Sequence, residues 1–177
     1  ARTGACAGPS TPEDTLEACS DGLDNDADSY TDCDDFDCAM SLDPIVADYW
    51  SLVIRDIHSA CDVFSKVYDH SNGADGYVSV EVDPGLAHDG PGTEAAAREL
   101  HARLDRRNLM VKIPGTEEGL SPIEQMISEG RSINVTLIFS LDRYSRVMDA
   151  YLTGLERFAA DPHADLSTVA SVASFFI

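Results

Sequence analysis

Apolar side chains first fall into a regular spacing after residue 43. Ile45, Tyr49, Leu52, Val53, Ile57, Ala60, Cys61, Phe64 and Tyr68 recur at helical intervals and predict an amphipathic helix over 44–70. The "SNG" that follows supplies its stop near Gly73. Beyond it, short apolar runs alternate with helical patterns. "GYVSVEV" (76–82), "NLMVKI" (108–113), "SINVTLIF" (132–139) and the closing "TVASVASFFI" read as strands. Between them, "TEAAARELHARLDR" (93–106), "SPIEQMISEG" (121–130) and residues 141–159 read as helices. The middle helix is predicted to begin with Ser121 as N-cap, Pro122 at the first helical position and Glu124 completing a capping box, and to end at Gly130. The "DGPGT" turn lacks the lysine of a phosphate loop and reads as the start of the first of these helices.

Strands that alternate with helices of this length form βαβ units and a parallel sheet. A parallel strand needs cover on both faces. A last strand ending on "SFFI" would lack it, so the natural chain is expected to continue.

Sorting each strand by parity divides it into two faces. Val78, Val80 and Val82 lie opposite Ser79, Glu81 and Asp83; Leu109, Val111 and Ile113 lie opposite Met110 and Lys112. In the third strand Ile133, Val135, Leu137 and Phe139 oppose Asn134, Thr136, Ile138 and Ser140, and in the fourth Ser174 shares a face with Val172 and Phe176. One face is therefore apolar and suits covering helices. The other gathers a carboxylate, an amine, an amide and hydroxyls from successive strands. A closed (β/α) barrel brings one face of every strand to a common axis, where such groups can carry chemistry. The plainer reading is a satisfied polar network inside the core. Lys112 weighs against it, because a buried ammonium loses its hydration and its pKa falls. An amine held partly neutral attacks carbonyls and forms Schiff bases. Glu81 could then move protons, and Asn134, Thr136 and Ser174 could hydrogen-bond sugar hydroxyls.

Charge narrows the partners. The formal net charge is −20. Residues 1–48 hold 13 acidic side chains against Arg2 alone, and the rest hold 19 against 11. Nucleic-acid binding is therefore not expected, since phosphate backbones need basic patches. There is no apolar run of membrane-spanning length and no leader pattern. Cys6, Cys19, Cys33 and Cys38 cluster in the first 38 residues, as in a small disulfide framework, whereas Cys61 reads as a buried helical thiol. The histidines His58, His70, His88, His101 and His163 show no metal-ligand spacing.

The stretches "DGYVSVEVDPGLAHD", "NLMVKIPGTEEGL", "INVTLIFSLDRYSRVMDAYLTGLE" and "LSTVASVASFFI" strongly resemble transaldolase in its longer bacterial form, from about Asp43 to Ile177. The resemblance implies an α/β fold, a partial (β/α)8 TIM barrel of the class I aldolase type with about four βα units. It implies transfer of a dihydroxyacetone unit from sedoheptulose 7-phosphate to glyceraldehyde 3-phosphate, in the cytoplasmic pentose phosphate pathway and without a catalytic cofactor. Carried over, Lys112 falls on the Schiff-base lysine, Glu81 on the glutamate that works with a catalytic water, and Asn134 and Thr136 on the pair that holds substrate and that water. Ser174 falls on a donor-binding serine. Two earlier family strands, which bear an aspartate and an asparagine, find no counterpart in residues 1–42. The phosphate-binding arginine would follow "SFFI", beyond Ile177. Four strands of eight cannot close a barrel, so open edges favour self-association. The chain alone is expected to be weakly active or inactive.

Residues 1–42 form an acidic, cysteine-rich segment that resembles a Cys/Asp-rich metal-binding repeat of bacterial surface proteins. Asp24, Asp26, Asp28, Asp32 and Asp35 fall at positions 1, 3, 5, 9 and 12 of a candidate Ca²⁺ loop at 24–35. Ser29 stands where glycine is usual and Asp35 where glutamate would give bidentate reach, and a solvated acidic tail is the competing reading. The chain thus has two readings of different kind: a partial transaldolase acting on sugar phosphates, or a non-catalytic half-barrel joined to a calcium-binding segment.

Overall fold

The computed structural model describes residues 44–175. The acidic segment, its four cysteines and the candidate calcium loop lie outside the described residues. The chain divides into two compact units, Ala1–Arg55 and Asp56–Ile177. In the first, the described residues are helical, and the rings of Tyr49 and Trp50 meet edge to face at 5.5 Å.

The elements run α1 (Pro44–His70), β1 (Val78–Glu81), α2 (Gly90–Leu104), β2 (Leu109–Pro114), α3 (Leu120–Ser128), β3 (Ile133–Ile138), α4 (Leu141–Phe158) and β4 (Ser171–Phe175). Short 3₁₀ turns lie at Pro84–His88 and Leu166–Thr168. The four strands are parallel and stand in the order β1-β2-β3-β4. Each crossover thus steps to the next position in the same direction. A doubly wound sheet would reverse that direction partway. One-way winding belongs to the (β/α)8 barrel, and these four units form part of a barrel of the aldolase class.

The apolar parity supplies the core. Val80, Val82, Leu109, Val111, Ile113, Ile133 and Val135 are all buried, and against them pack Leu100 and Leu104 of α2, Ile123, Met126 and Ile127 of α3, and Val147 of α4. Each fully buried Leu or Ile of this kind contributes roughly 1.5–3 kcal/mol. At Gly154 of α4 a Cβ would stand 2.6 Å from the Glu124 carbonyl oxygen and 2.8 Å from Ile127 Cβ, so the α3–α4 contact requires the missing side chain. Near the C-terminal end of α1, Cys61 is fully buried, as its helical position suggested. The buried Asn108 donates from Nδ2 to the carbonyls of Cys61 (2.9 Å) and Gly76 (3.0 Å), which ties α1 to the connections before β1 and β2.

Three local expectations are corrected. First, α3 begins earlier than predicted and Ser121 is not its cap. Thr116 Oγ1 accepts from the Gly119 N–H (3.1 Å) and Gly119 is the N-cap, so Pro122 falls within the first turn, where a missing N–H still costs little. The stop is as expected, with Gly130 left-handed (φ 76°) and its N–H donating to the Ile127 carbonyl at 3.0 Å. Second, the parity of β3 fails after Thr136. Its register to β4 shifts between Val135 and Ile138, Leu137 has φ 58°, and Ile138 rather than Leu137 enters the core. Third, Ser140 leaves the strand face and caps α4, accepting from the Arg143 N–H at 3.1 Å. Among the described residues no helix is long and apolar enough to cross a membrane.

Candidate active site

Parallel register brings the polar residues side by side. Glu81 is the Cα partner of Lys112, and Lys112 of Asn134, while Pro114 partners Thr136. Alternation then sends the Glu81, Lys112, Asn134 and Thr136 side chains to the face away from the helices. Lys112 Nζ donates to Glu81 Oε2 at 2.7 Å, and Thr136 Oγ1 lies 3.4 Å from Glu81 Oε1. Ser174 Oγ donates to Asn134 Oδ1 at 2.9 Å, and Asn134 Nδ2 donates to Ser79 Oγ at 3.3 Å. The five sequence-predicted residues therefore share one face in two hydrogen-bonded groups, Lys112–Glu81–Thr136 and Asn134–Ser174. Ser79, which alternation placed on this face without a task, joins the second group as the acceptor that fixes the Asn134 amide.

Burial departs from expectation. The Lys112 side chain is 30% exposed and that of Glu81 is 47% exposed. No strand among the described residues faces β2 from across this side of the sheet, and water reaches the amine. What distinguishes Lys112 is its neighbour, a carboxylate oxygen at hydrogen-bonding distance, and not the desolvation that the apolar run suggested. Thr136 is buried, and Asn134 and Ser174 are half-buried.

The loops at the C-terminal ends of the strands are linked in turn. Thr116 Oγ1, in the loop after β2, donates to the Ala87 carbonyl at 2.7 Å, in the turn after β1. Glu118 and His88 lie 3.3 Å apart across the same two loops. Glu117 pairs with Arg143 (3.0 Å) and with Arg146, both on α4. The hydrogen bonds from Arg146, then Arg143, hold the Glu117 carboxyl below its usual pKa. After β2, the Gly115 N–H donates to the Thr136 carbonyl at 2.7 Å, where the β3 bulge begins. The bulge at Leu137 has no sequence signal, since leucine rarely takes a positive φ.

Chemically, the arrangement offers a primary amine beside a proton acceptor, with an amide and hydroxyls suited to polyhydroxylated ligands. Among the described residues no group of three or more His, Cys, Asp or Glu side chains is placed to hold a metal.

A family model described as transaldolase/fructose-6-phosphate aldolase matches residues 13–177, and so takes in part of the acidic segment. Transaldolase 2 of Nostoc punctiforme is 50% identical over 134 residues, which are 76% of this chain and 35% of that protein. Transaldolase of Saccharopolyspora erythraea is 56% identical over 126 residues, 71% of this chain and 34% of that protein. Transaldolase 1 of Streptomyces coelicolor is likewise 56% identical over 126 residues, 71% of this chain and 33% of that protein. The chain spans about a third of the length of these curated relatives.

Proposed function

The chain belongs to the transaldolase/fructose-6-phosphate aldolase family, and on that premise we propose that Lys112 is the Schiff-base amine of a transaldolase. In this reading Lys112 gives a proton to Glu81, and its nitrogen attacks the ketone carbon of a ketose phosphate. The N–C bond forms, the carbonyl oxygen takes up a proton, and loss of water leaves the iminium. A proton leaves the hydroxyl of the carbon two bonds from the iminium carbon for water, and the bond between that carbon and the α carbon breaks with its electron pair drawn into the iminium. An aldehyde departs, and a dihydroxyacetone unit stays on the lysine as an enamine. Addition of this enamine to an acceptor aldehyde and hydrolysis of the imine return the free amine. Glu81 and Thr136 serve the proton transfers and the water, and Asn134 and Ser174 hold the hydroxyls of the donor. Sedoheptulose 7-phosphate is the donor and glyceraldehyde 3-phosphate the acceptor, giving erythrose 4-phosphate and fructose 6-phosphate in the cytoplasmic pentose phosphate pathway.

The observation that supports this most is the 2.7 Å contact between Lys112 Nζ and Glu81 Oε2 on the face shared with Asn134, Thr136 and Ser174. The test is borohydride reduction of the full-length protein in the presence of fructose 6-phosphate, followed by peptide mass spectrometry. A reduced adduct on Lys112 is expected. A folded protein that turns over substrate but carries its adduct elsewhere, or none, would end the proposal.

A further inference from the structure

A cleft of about 540 Å³ opens at the opposite end of the sheet from the active-site loops. Asn72, Arg107, Arg131 and Thr168 line it, one from each of the four connections that lead into a strand. Leu109, the first residue of β2, also borders it, while Lys112 lies three residues further along the strand, roughly 10 Å away at the usual strand rise. The cleft is therefore separate from the Lys112 ensemble.

Its walls offer both kinds of hydrogen-bonding group. Arg131 uses Nε on Glu129 at 2.9 Å, and its two terminal nitrogens have no partner among the described residues. Arg107 uses Nη2 on Asp69 at 2.9 Å and lies over the Tyr68 ring, which leaves Nε and Nη1 without a partner among the described residues. These two guanidinium groups sit on neighbouring connections and present unpaired N–H donors. Behind them the wall is uncharged at His101, and its open acceptor is Asp105. His101 Nε2 is buried without a partner, and the Ser132 backbone engages the ring. Burial, then the charge of Arg131, push the His101 pKa down to about 4, so near neutral pH the ring is uncharged. The Asp105 carboxylate, also in the wall, makes no hydrogen bond among the described residues and favours hydroxyls over bare anions.

A ligand that satisfies these walls must bring several anionic oxygens to the guanidiniums and a hydroxyl donor to Asp105. We propose that the cleft binds a small hydroxylated phosphate monoester, at a site distinct from that of Lys112. Guanidinium donors match the terminal oxygens of a phosphate, and the unpaired Asp105 carboxylate disfavours a phosphate that lacks hydroxyls.

Calorimetric titration of the chain with glycerol 3-phosphate, inorganic phosphate and glycerol tests the proposal. Glycerol 3-phosphate is expected to bind in the millimolar range or tighter, and at least about tenfold better than either of the other two. Arg131→Gln should weaken it by about tenfold or more, equivalent to about 1.4 kcal/mol. Lys112→Ala should leave it unchanged. If circular dichroism shows Arg131→Gln to be unfolded, Arg107→Gln is read in its place with the same expectation. Absence of binding, equal binding of inorganic phosphate, insensitivity to the arginine variants, or loss on Lys112→Ala would each overturn it. The last outcome would move the ligand to the catalytic end and leave the Schiff-base reading intact.

Discussion

The two faces of the sheet are built from the same strands and obey different rules. On the helix-covered face, Leu109, Val111, Ile113, Ile133 and Val135 are buried, and their partners are apolar side chains of α2, α3 and α4. On the other face, Ser79, Glu81, Lys112, Asn134, Thr136 and Ser174 hold one another by hydrogen bonds. The first face sets stability. The second adds little to it, since an ion pair as exposed as Lys112–Glu81 is typically worth less than about 1 kcal/mol. The lesson is that side chains can be ordered by hydrogen bonds to one another while adding little to the folding free energy.

Three measurements can break or sharpen that contrast. The largest effect belongs to the covered face: Leu100→Ala should lower the unfolding free energy by about 2–5 kcal/mol in urea titrations. A loss below about 1 kcal/mol would mean that the helix layer is not the seat of stability. Next comes His101, also on the helix side, whose folded-state pKa is pushed down to about 4 by burial and by Arg131. The unfolded chain protonates a histidine near pH 6.5. The resulting stabilisation is fully present above that pH and is lost as pH falls through 6.5 toward the folded value. The amount is on the order of 3 kcal/mol. Melting temperature followed from pH 7 to 4 should show this fall, and His101→Gln should flatten it; an equal slope in both proteins would refute the assignment. The smallest effect is reserved for the open face. Lys112→Met should change the unfolding free energy by less than about 1 kcal/mol while abolishing any borohydride-trapped adduct. A large destabilisation would show that the polar face is structural after all.

Much of this was legible in the chain because parallel strands have a two-residue side-chain period. Alternation alone put Lys112 and Glu81 on one face, and register then joined them. The helix stop at Gly130 was equally plain, since a left-handed position after a helix favours glycine. What failed did so for local reasons. Ser121 looked like a cap, but Thr116 had already closed the preceding turn and started α3 sooner. Leu137 carried no mark of its bulge, because nothing in a leucine signals a positive φ, and the slip moved Ile138 into the core. The exposure of Lys112 was misjudged for a different reason: an apolar run records what flanks a side chain within its strand, not what stands across from it. The cleft at the other end was not legible at all. Its walls come from four connections that share no motif and meet only when the strands align.

The extra residue in β3 has a consequence for how that strand tolerates change. Upstream of Leu137, odd positions belong to the helix layer; downstream, even ones do. The strand therefore contains a phase boundary, and the amide of Gly115 grips the chain just before it. Loss of that one residue would restore simple alternation, with Ile138 following Val135 by two positions and still facing the helix layer. The bulge thus takes Leu137 out of the core while both halves of the strand keep their apolar side chains against the helices.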